Sequence, residues 1–286
     1  MKNPSASIRA RLMNLAKEQG LSFQLILIRY LQERLLFRLS KSNFRNNFYL
    51  KGGALIYAYE GSKTRFTLDI DLLGKNIENS REAIENAFSE ILSIEYNDDG
   101  VWFDPSTIQT ELIAEQDKYN GIRLFVEAGF HTVKQRLQVD IGFGDVLQPN
   151  PNNNLDFPVL LPGSEVPVIQ AYASETIIAE KFQAMIELSS ANSRMKDFYD
   201  VYKLISNTTI NQIKLELAIK ATFKNRNTPY TESHALFNGN FFTDSSRERM
   251  WKAFLNKIGQ DKHLKLLEVG NTILNTLKPI WERLRV

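Results

Sequence analysis

The stretch that decides the fold is residues 48–71, which read FYLKGGALIYAYEGSKTRFTLDID. An apolar, strand-like run ends at Gly52-Gly53, a helical segment follows, and Asp69 and Asp71 then lie two apart in a second apolar run. Residues i and i+2 of a strand point to the same face, so we expect both carboxylates to project together. Two adjacent like charges repel unless a cation neutralises them, and the usual neutraliser is a divalent cation with oxygen ligands.

The two glycines predict the other half of the same site. Bare backbone N–H groups near the start of a helix favour anions, phosphate groups in particular. Each motif alone is more often a plain turn or a solvated strand edge, but their order of strand, turn, helix and strand makes the combination informative. Together they predict chemistry on a nucleoside triphosphate (NTP) assisted by Mg²⁺ or Mn²⁺.

A third carboxylate is expected on a neighbouring strand, because two-metal phosphoryl transfer needs ligands on the nucleophile side and on the leaving-group side. Asp140 is the candidate. In the segment LQVDIGF, residues 137–143, the apolar side chains alternate onto one face and Asp140 falls on the other. Alternation alone would place an ordinary outward polar residue in the same way, so that reading stays open.

Two charges are expected inside apolar helix faces. Lys181 falls within the apolar stripe of a helix at 174–189, and Asp197 falls within the stripe of the helix that starts at 194. A charge in an apolar face is costly unless it is paired or bound to a ligand. The two residues therefore form either a buried ion pair that only joins two helices, or a functional pair in which Lys181 meets the triphosphate and Asp197 orients it.

The motif order resembles that of the nucleotidyltransferase superfamily, and residues 50–55 with 65–72 more narrowly resemble the AbiEii/AbiGii family of abortive-infection toxins. Residues 180–181 and 194–201 are similar to that family's later motifs, so the resemblance spans about residues 47–205. It implies a nucleotidyltransferase that acts beside an antitoxin. Ala54 stands where such enzymes often carry Ser or Thr, so one hydroxyl contact to a phosphate is missing.

The resemblance also implies roles for individual residues. The implied metal ligands are Asp69, Asp71 and Asp140, and these three with Lys181 and Asp197 are the implied catalytic residues. The implied nucleotide-binding residues are Lys51, Gly52, Gly53, Arg65 and Lys181.

Composition limits the protein class. The chain has 286 residues, 43% of them hydrophobic, and no cysteine, which excludes disulfides and thiolate metal sites. It shows no signal-peptide pattern and no run near the ~18 apolar residues that span a membrane. We therefore expect a cytoplasmic protein with no membrane partner.

The organisation along the chain predicts an α+β fold. Helices are expected at 6–18 and 22–40, strands and helices alternate to residue 92, and short strands fill 100–145, with a turn signal at Tyr119-Asn120-Gly121. A segment rich in Pro and Asn, 149–168, is the candidate linker, and helices follow it. We predict a nucleotidyltransferase-like mixed sheet with flanking helices in residues 1–165 and a helical domain in residues 166–286.

The charge distribution points to a polyanionic acceptor. The net charge is only +2, but residues 1–51 carry ten Lys or Arg against two acids, and residues 201–286 carry fourteen against seven. RNA is therefore a candidate acceptor, with plain solvated helix faces as the alternative reading of the same charges. The family resemblance implies tRNA as one such RNA acceptor. The alternatives are a protein hydroxyl acceptor, a two-metal nuclease, which the Gly-Gly turn disfavours, and a degenerate domain that binds nucleotide or antitoxin without turnover. The candidate phosphate contacts are Arg9, Arg11, Arg29, Arg34, Arg38, Lys41, Arg45, Arg247, Arg249, Lys252, Lys257, Lys262 and Lys265.

Overall fold

The computed structural model describes residues 4–61, 64–115 and 119–285. Within these ranges the chain forms one mixed sheet of seven strands, in the order β3-β4-β5-β2-β1-β7-β6. The strands are β1 Phe48–Lys51, β2 Asp69–Gly74, β3 Val101–Glu115, β4 Tyr119–Phe130, β5 Val133–Gly142, β6 Asn152–Asp156 and β7 Val168–Ala171. The helices are α1 Pro4–Gln19, α2 Phe23–Lys41, α3 Gly52–Glu60, α4 Arg81–Leu92, α5 Ser174–Leu188, α6 Met195–Asn207, α7 Gln212–Asn225, α8 Ser245–Ile258 and α9 Leu266–Arg283.

Strand β2 lies near the middle of the sheet. It pairs antiparallel with β1 and parallel with β5, and β1 pairs parallel with β7 on its other side. The alternate side chains Ile70, Leu72, Val139 and Ile141 are fully buried. Burial of this apolar face fixes the register, since a slip of one residue would turn it towards solvent. The same register sets which way the intervening polar residues point.

The chain divides into two compact units. The sheet unit comprises Met1–Ser62, Phe66–Gly144 and Asn152–Ala171, and it holds α1–α4 with all seven strands. Helix α2 packs there against α4 and against strands β5 and β7. The helical unit comprises Lys63–Arg65, Asp145–Pro151 and Tyr172–Val286, and it holds α5–α9 around the rings of Phe182, Phe223 and Trp281. The domain boundary at residues 165/166 stays a prediction, because compactness does not test independent folding.

The predicted fold class is confirmed: a mixed sheet with flanking helices precedes a run of helices. The expected N-cap of α2 is also present, with the Ser22 hydroxyl accepting the Leu25 N–H at 3.3 Å. The linker assignment is wrong in part, because residues 152–156 form the edge strand β6 against β7. The turn signal at Tyr119-Asn120-Gly121 is wrong as well, since these residues pair with β3 within strand β4. In the described part of the chain, no helix combines the length and the apolar character needed to cross a membrane.

Candidate active site

The site starts at the glycine turn between β1 and α3. Gly52 has φ of +64°, and a Cβ at this position would lie 1.9 Å from the Asp71 carboxylate oxygen Oδ2. A Cβ on Gly53 would lie 2.9 Å from the side chain of Thr67. Only glycines therefore let the turn approach the acidic strand so closely. The side chain of the N-cap residue, Lys51, makes no capping hydrogen bond to α3. Backbone N–H groups at the start of a helix favour an anion.

Four charged residues form a row across four adjacent strands. The register pairs Lys51 on β1 with Asp71 on β2, Asp71 with Asp140 on β5, and Asp140 with Arg123 on β4. Residues that pair directly across strands point to the same face of a sheet. Two carboxylates therefore lie side by side with a cation at each end of the row. The row exists because strands that are distant along the chain pair side by side in this register.

Asp69 completes an acidic triad with Asp71 and Asp140. One carboxylate oxygen from each of the three lies within 4.8 Å of the others, and all three side chains are half-buried. The Thr67 hydroxyl donates a hydrogen bond to Asp69 Oδ1. Three converging carboxylate oxygens fit a hard divalent cation such as Mg²⁺ or Mn²⁺. The structure thus brings together the three residues predicted to bind a metal, and their binding of a metal stays a prediction.

Two further residues, which the sequence reasoning missed, hold Asp140 in place. The Arg123 guanidinium donates to Asp140 through Nε to Oδ1 and through Nη2 to Oδ2, both at 2.8 Å. The Gln138 amide donates to Oδ1 at 3.0 Å. The hydrogen bonds and charge of Asp140 raise the pKa of Arg123, so this cation is held firmly charged. The only sequence signal was an arginine between two apolar residues of β4.

The helical unit contains a separate ionic cluster around Lys181. Lys181 Nζ lies 2.7 Å from Asp197 Oδ1 and 2.9 Å from Asp200 Oδ2. Arg65 donates to both oxygens of Asp200, at 2.9 and 2.8 Å, and Arg194 Nε lies 2.6 Å from Asp197 Oδ2. The predicted pairing of Lys181 with Asp197 is therefore present. The contacts of Asp200 with Lys181 and Arg65 were not predicted, although Asp200 belongs to the motif at residues 194–201.

The charges in this cluster compensate one another. Both carboxylates are at most 2% exposed. Burial alone would raise the pKa of Asp197, but the charges of Lys181 and Arg194 outweigh it and hold that pKa below its usual value. Burial would lower the pKa of Lys181, but Asp200 and Asp197 outweigh burial and raise it. The predicted roles of Lys181, Asp197 and Arg65 towards a nucleotide stay predictions.

Three of the basic residues expected at the surface lie in the core of the sheet unit. Arg34 and Arg38 are at most 2% exposed and Arg29 is 6% exposed. Arg38 donates to the Asp99 carboxylate and to a backbone carbonyl group, while the Arg29 guanidinium lies 4.1 Å from the centre of the Tyr57 ring. Phosphate contact by these three residues is therefore a wrong prediction. Helix α2 is buried on nearly all sides, so its charges serve internal partners.

Solved structures with a similar fold cover most of this chain. JHP933 from Helicobacter pylori matches with a TM-score of 0.52 and 16% identity over 92% of this chain and 94% of that chain. A candidate nucleotidyltransferase from H. pylori matches with a TM-score of 0.52 and 17% identity over 92% and 97%. The antibiotic-resistance factor ANT(2'')-Ia matches less closely, with a TM-score of 0.40 and 19% identity over 68% and 92%.

Comparison with curated proteins gives no match. Among family models, that of the nucleotidyl transferase AbiEii toxin, type IV toxin–antitoxin system, matches residues 34–278. This range includes the glycine turn, the acidic triad and the Lys181 cluster, and it covers well over half of the chain. The chain therefore belongs to the AbiEii toxin family of nucleotidyltransferases, a type IV toxin–antitoxin family.

Proposed function

We propose that this chain transfers a nucleoside monophosphate from an NTP to an acceptor hydroxyl, with Mg²⁺ or Mn²⁺ held by Asp69, Asp71 and Asp140. The observation that carries the proposal is the convergence of three carboxylate oxygens within 4.8 Å. Oxygen ligands of this kind suit a hard divalent cation. When bound, such a cation neutralises phosphate charge and polarises the phosphoryl group that is transferred.

The glycine turn would bind the triphosphate through backbone N–H groups. The N–H groups that open α3 favour anionic oxygens, and Gly52 lets them lie directly beside Asp71. Lys51 ends β1 in the row of charges and adds a cation at the same edge. Lys181 and Asp197 remain proposed catalytic residues, and Arg65 a proposed nucleotide-binding residue, each within the helical unit.

RNA, tRNA included, is the proposed acceptor, and a protein hydroxyl is the competing acceptor. Exposed basic residues in α8 and in the segment between α8 and α9 support binding of a polyanion. They are Arg249, Lys252, Lys257, Lys262 and Lys265. Family membership implies a cognate antitoxin. A cytoplasmic location is proposed from the sequence. Ala54, which is 3% exposed and carries no hydroxyl group, supports the competing proposal of a domain that binds nucleotide without turnover.

The test measures transfer of label from each of four α-labelled NTPs to total cellular RNA and to total cellular protein. Asp69→Asn and Asp71→Asn should each abolish transfer in protein that remains folded, because each removes a charged metal ligand. Asp156→Asn is the matched control, since Asp156 is an exposed aspartate on β6 of the same sheet. Full transfer by either triad variant contradicts the proposal, and label in RNA or in protein identifies the acceptor class.

A further inference from the structure

Asp140 has few acceptor positions left for a cation. A carboxylate offers about four lone-pair positions, two on each oxygen. Oδ1 of Asp140 accepts from Arg123 Nε at 2.8 Å and from Gln138 Nε2 at 3.0 Å, so both of its positions are used. Oδ2 accepts from Arg123 Nη2 at 2.8 Å, so one of its positions remains. Asp140 can therefore bind a cation through Oδ2 alone.

Arg123 also offsets charge within the triad. Without a cation, three carboxylates crowd one face of the sheet, and like charges at this spacing repel. The guanidinium of Arg123 is one-third exposed, engages both oxygens of Asp140 and lies 3.6 Å from the Glu111 carboxylate. Its planar fork fixes the plane of the Asp140 carboxylate, which a lysine cannot do. Charge and orientation are thus two separable contributions of one residue.

We infer that Arg123, assisted by Gln138, is a positioning residue that presents Asp140 to the cation through a single oxygen and compensates the triad when no cation is bound. The part of the inference that concerns the cation rests on the proposed function. The part that concerns charge compensation rests only on the contacts of Arg123 and Gln138 with Asp140. Outer-shell partners of this kind tune metal ligands in many sites. Arg123 contacts Asp140, the proposed metal ligand, through both carboxylate oxygens, so it would act through that ligand.

The experiment compares Arg123→Met and Arg123→Lys with the wild-type protein. Melting temperature is measured after treatment with EDTA and again with saturating Mn²⁺, and kcat is measured by NTP-dependent labelling. Arg136→Met is the matched control. Arg136 is an exposed arginine on β5 of the same sheet that contacts Gln109 and the ring of Phe125.

Arg123→Met should lower the metal-free melting temperature by roughly 4 °C or more, because it exposes the repulsion within the triad. Saturating Mn²⁺ should then raise the melting temperature more than it does in the wild type. Arg123→Lys keeps the charge, so its metal-free melting temperature should stay near the wild-type value. Its kcat should still fall by about 10- to 100-fold, because the bidentate orientation is lost.

The outcomes separate this inference from the proposed function. If Arg123→Met and Arg136→Met have the same metal-free melting temperature, compensation by Arg123 is refuted whatever the cation does. If Arg123→Lys keeps full kcat, the positioning role is refuted. If wild-type protein shows neither a shift with Mn²⁺ nor metal-dependent transfer, the proposed cation site fails, while the metal-free comparison still decides the compensation.

Discussion

Replacement of Gly52 by alanine tests the close approach of the glycine turn to the acidic strand. Two separate costs follow from the structure. The first is backbone strain, since φ at Gly52 is +64° and an L-residue pays about 1–2 kcal/mol there. The second is local, because the new methyl carbon would lie 1.9 Å from Asp71 Oδ2. The carboxylate must then retreat by more than ~1 Å, a displacement that can lower turnover by about 10²-fold at a catalytic group.

Gly20→Ala is the matched control for the strain. Gly20 also has φ of +64°, but its added Cβ would meet nothing within 4 Å. Both variants should therefore lose roughly 2–8 °C in melting temperature from strain. Only Gly52→Ala should lose most of its transfer activity, measured as labelled acceptor per minute at saturating NTP and Mg²⁺. Similar activities for the two variants would refute the claim that the turn positions Asp71 for catalysis.

Three other predictions follow from the structure. Lys181→Met should lower the free energy of unfolding by about 3 kcal/mol, because the buried carboxylates of Asp197 and Asp200 lose a cation, whereas Lys196→Met, at an exposed position of α6, should change it little. The free energy of unfolding is measured by urea titration and transfer by labelling; loss of transfer by folded Lys181→Met protein supports the proposed catalytic role, and full transfer would refute it. Burial raises the pKa of Glu33 to about 7, so the folded state takes up a proton that the unfolded state does not, and the melting temperature should fall as pH rises from about 5 to about 8. Glu33→Gln should flatten this slope, and an unchanged slope would show that another group causes it. If RNA is the acceptor, changing Arg249, Lys252 and Lys257 to Gln should make its binding less sensitive to salt, by a log–log slope of about 0.7 per lost phosphate contact. A salt-independent affinity of the wild-type protein for RNA would remove this support for an RNA acceptor.

Local sequence patterns were sufficient to predict which strand face carries each of the three triad carboxylates. The period of two in strands placed Asp69 and Asp71 on one face, and the alternation of buried Leu137, Val139 and Ile141 placed Asp140 on the face opposite to them. Each of these inferences uses only neighbours along the chain. The convergence of the three carboxylates depended on β5 pairing directly with β2. A third carboxylate was expected on a neighbouring strand, but residue spacing alone did not give the strand order.

Features that depend on chain-distant partners were missed. Arg123 reads in the sequence as one polar residue of a strand, and its contact with Asp140 arises only from the register of β4 against β5. Arg38 reads as a helix surface charge, yet its partner Asp99 is 61 residues away. Asp200 falls within the motif at residues 194–201, but its pairing with Arg65 was not predicted, because Arg65 lies 135 residues earlier. Periodicity says which face a side chain takes, but not which distant group it meets there.

Anomalous X-ray diffraction from crystals grown with Mn²⁺ and a non-hydrolysable NTP analogue tests the central claim most directly. The account predicts a manganese peak about 2.1 Å from one oxygen each of Asp69, Asp71 and Asp140, with Asp140 contributing Oδ2 and still bound to Arg123. Triphosphate oxygens should accept hydrogen bonds from the N–H groups that open α3 at Gly52 and Gly53. A nucleotide bound elsewhere, or manganese bound away from these three carboxylates, would contradict the account.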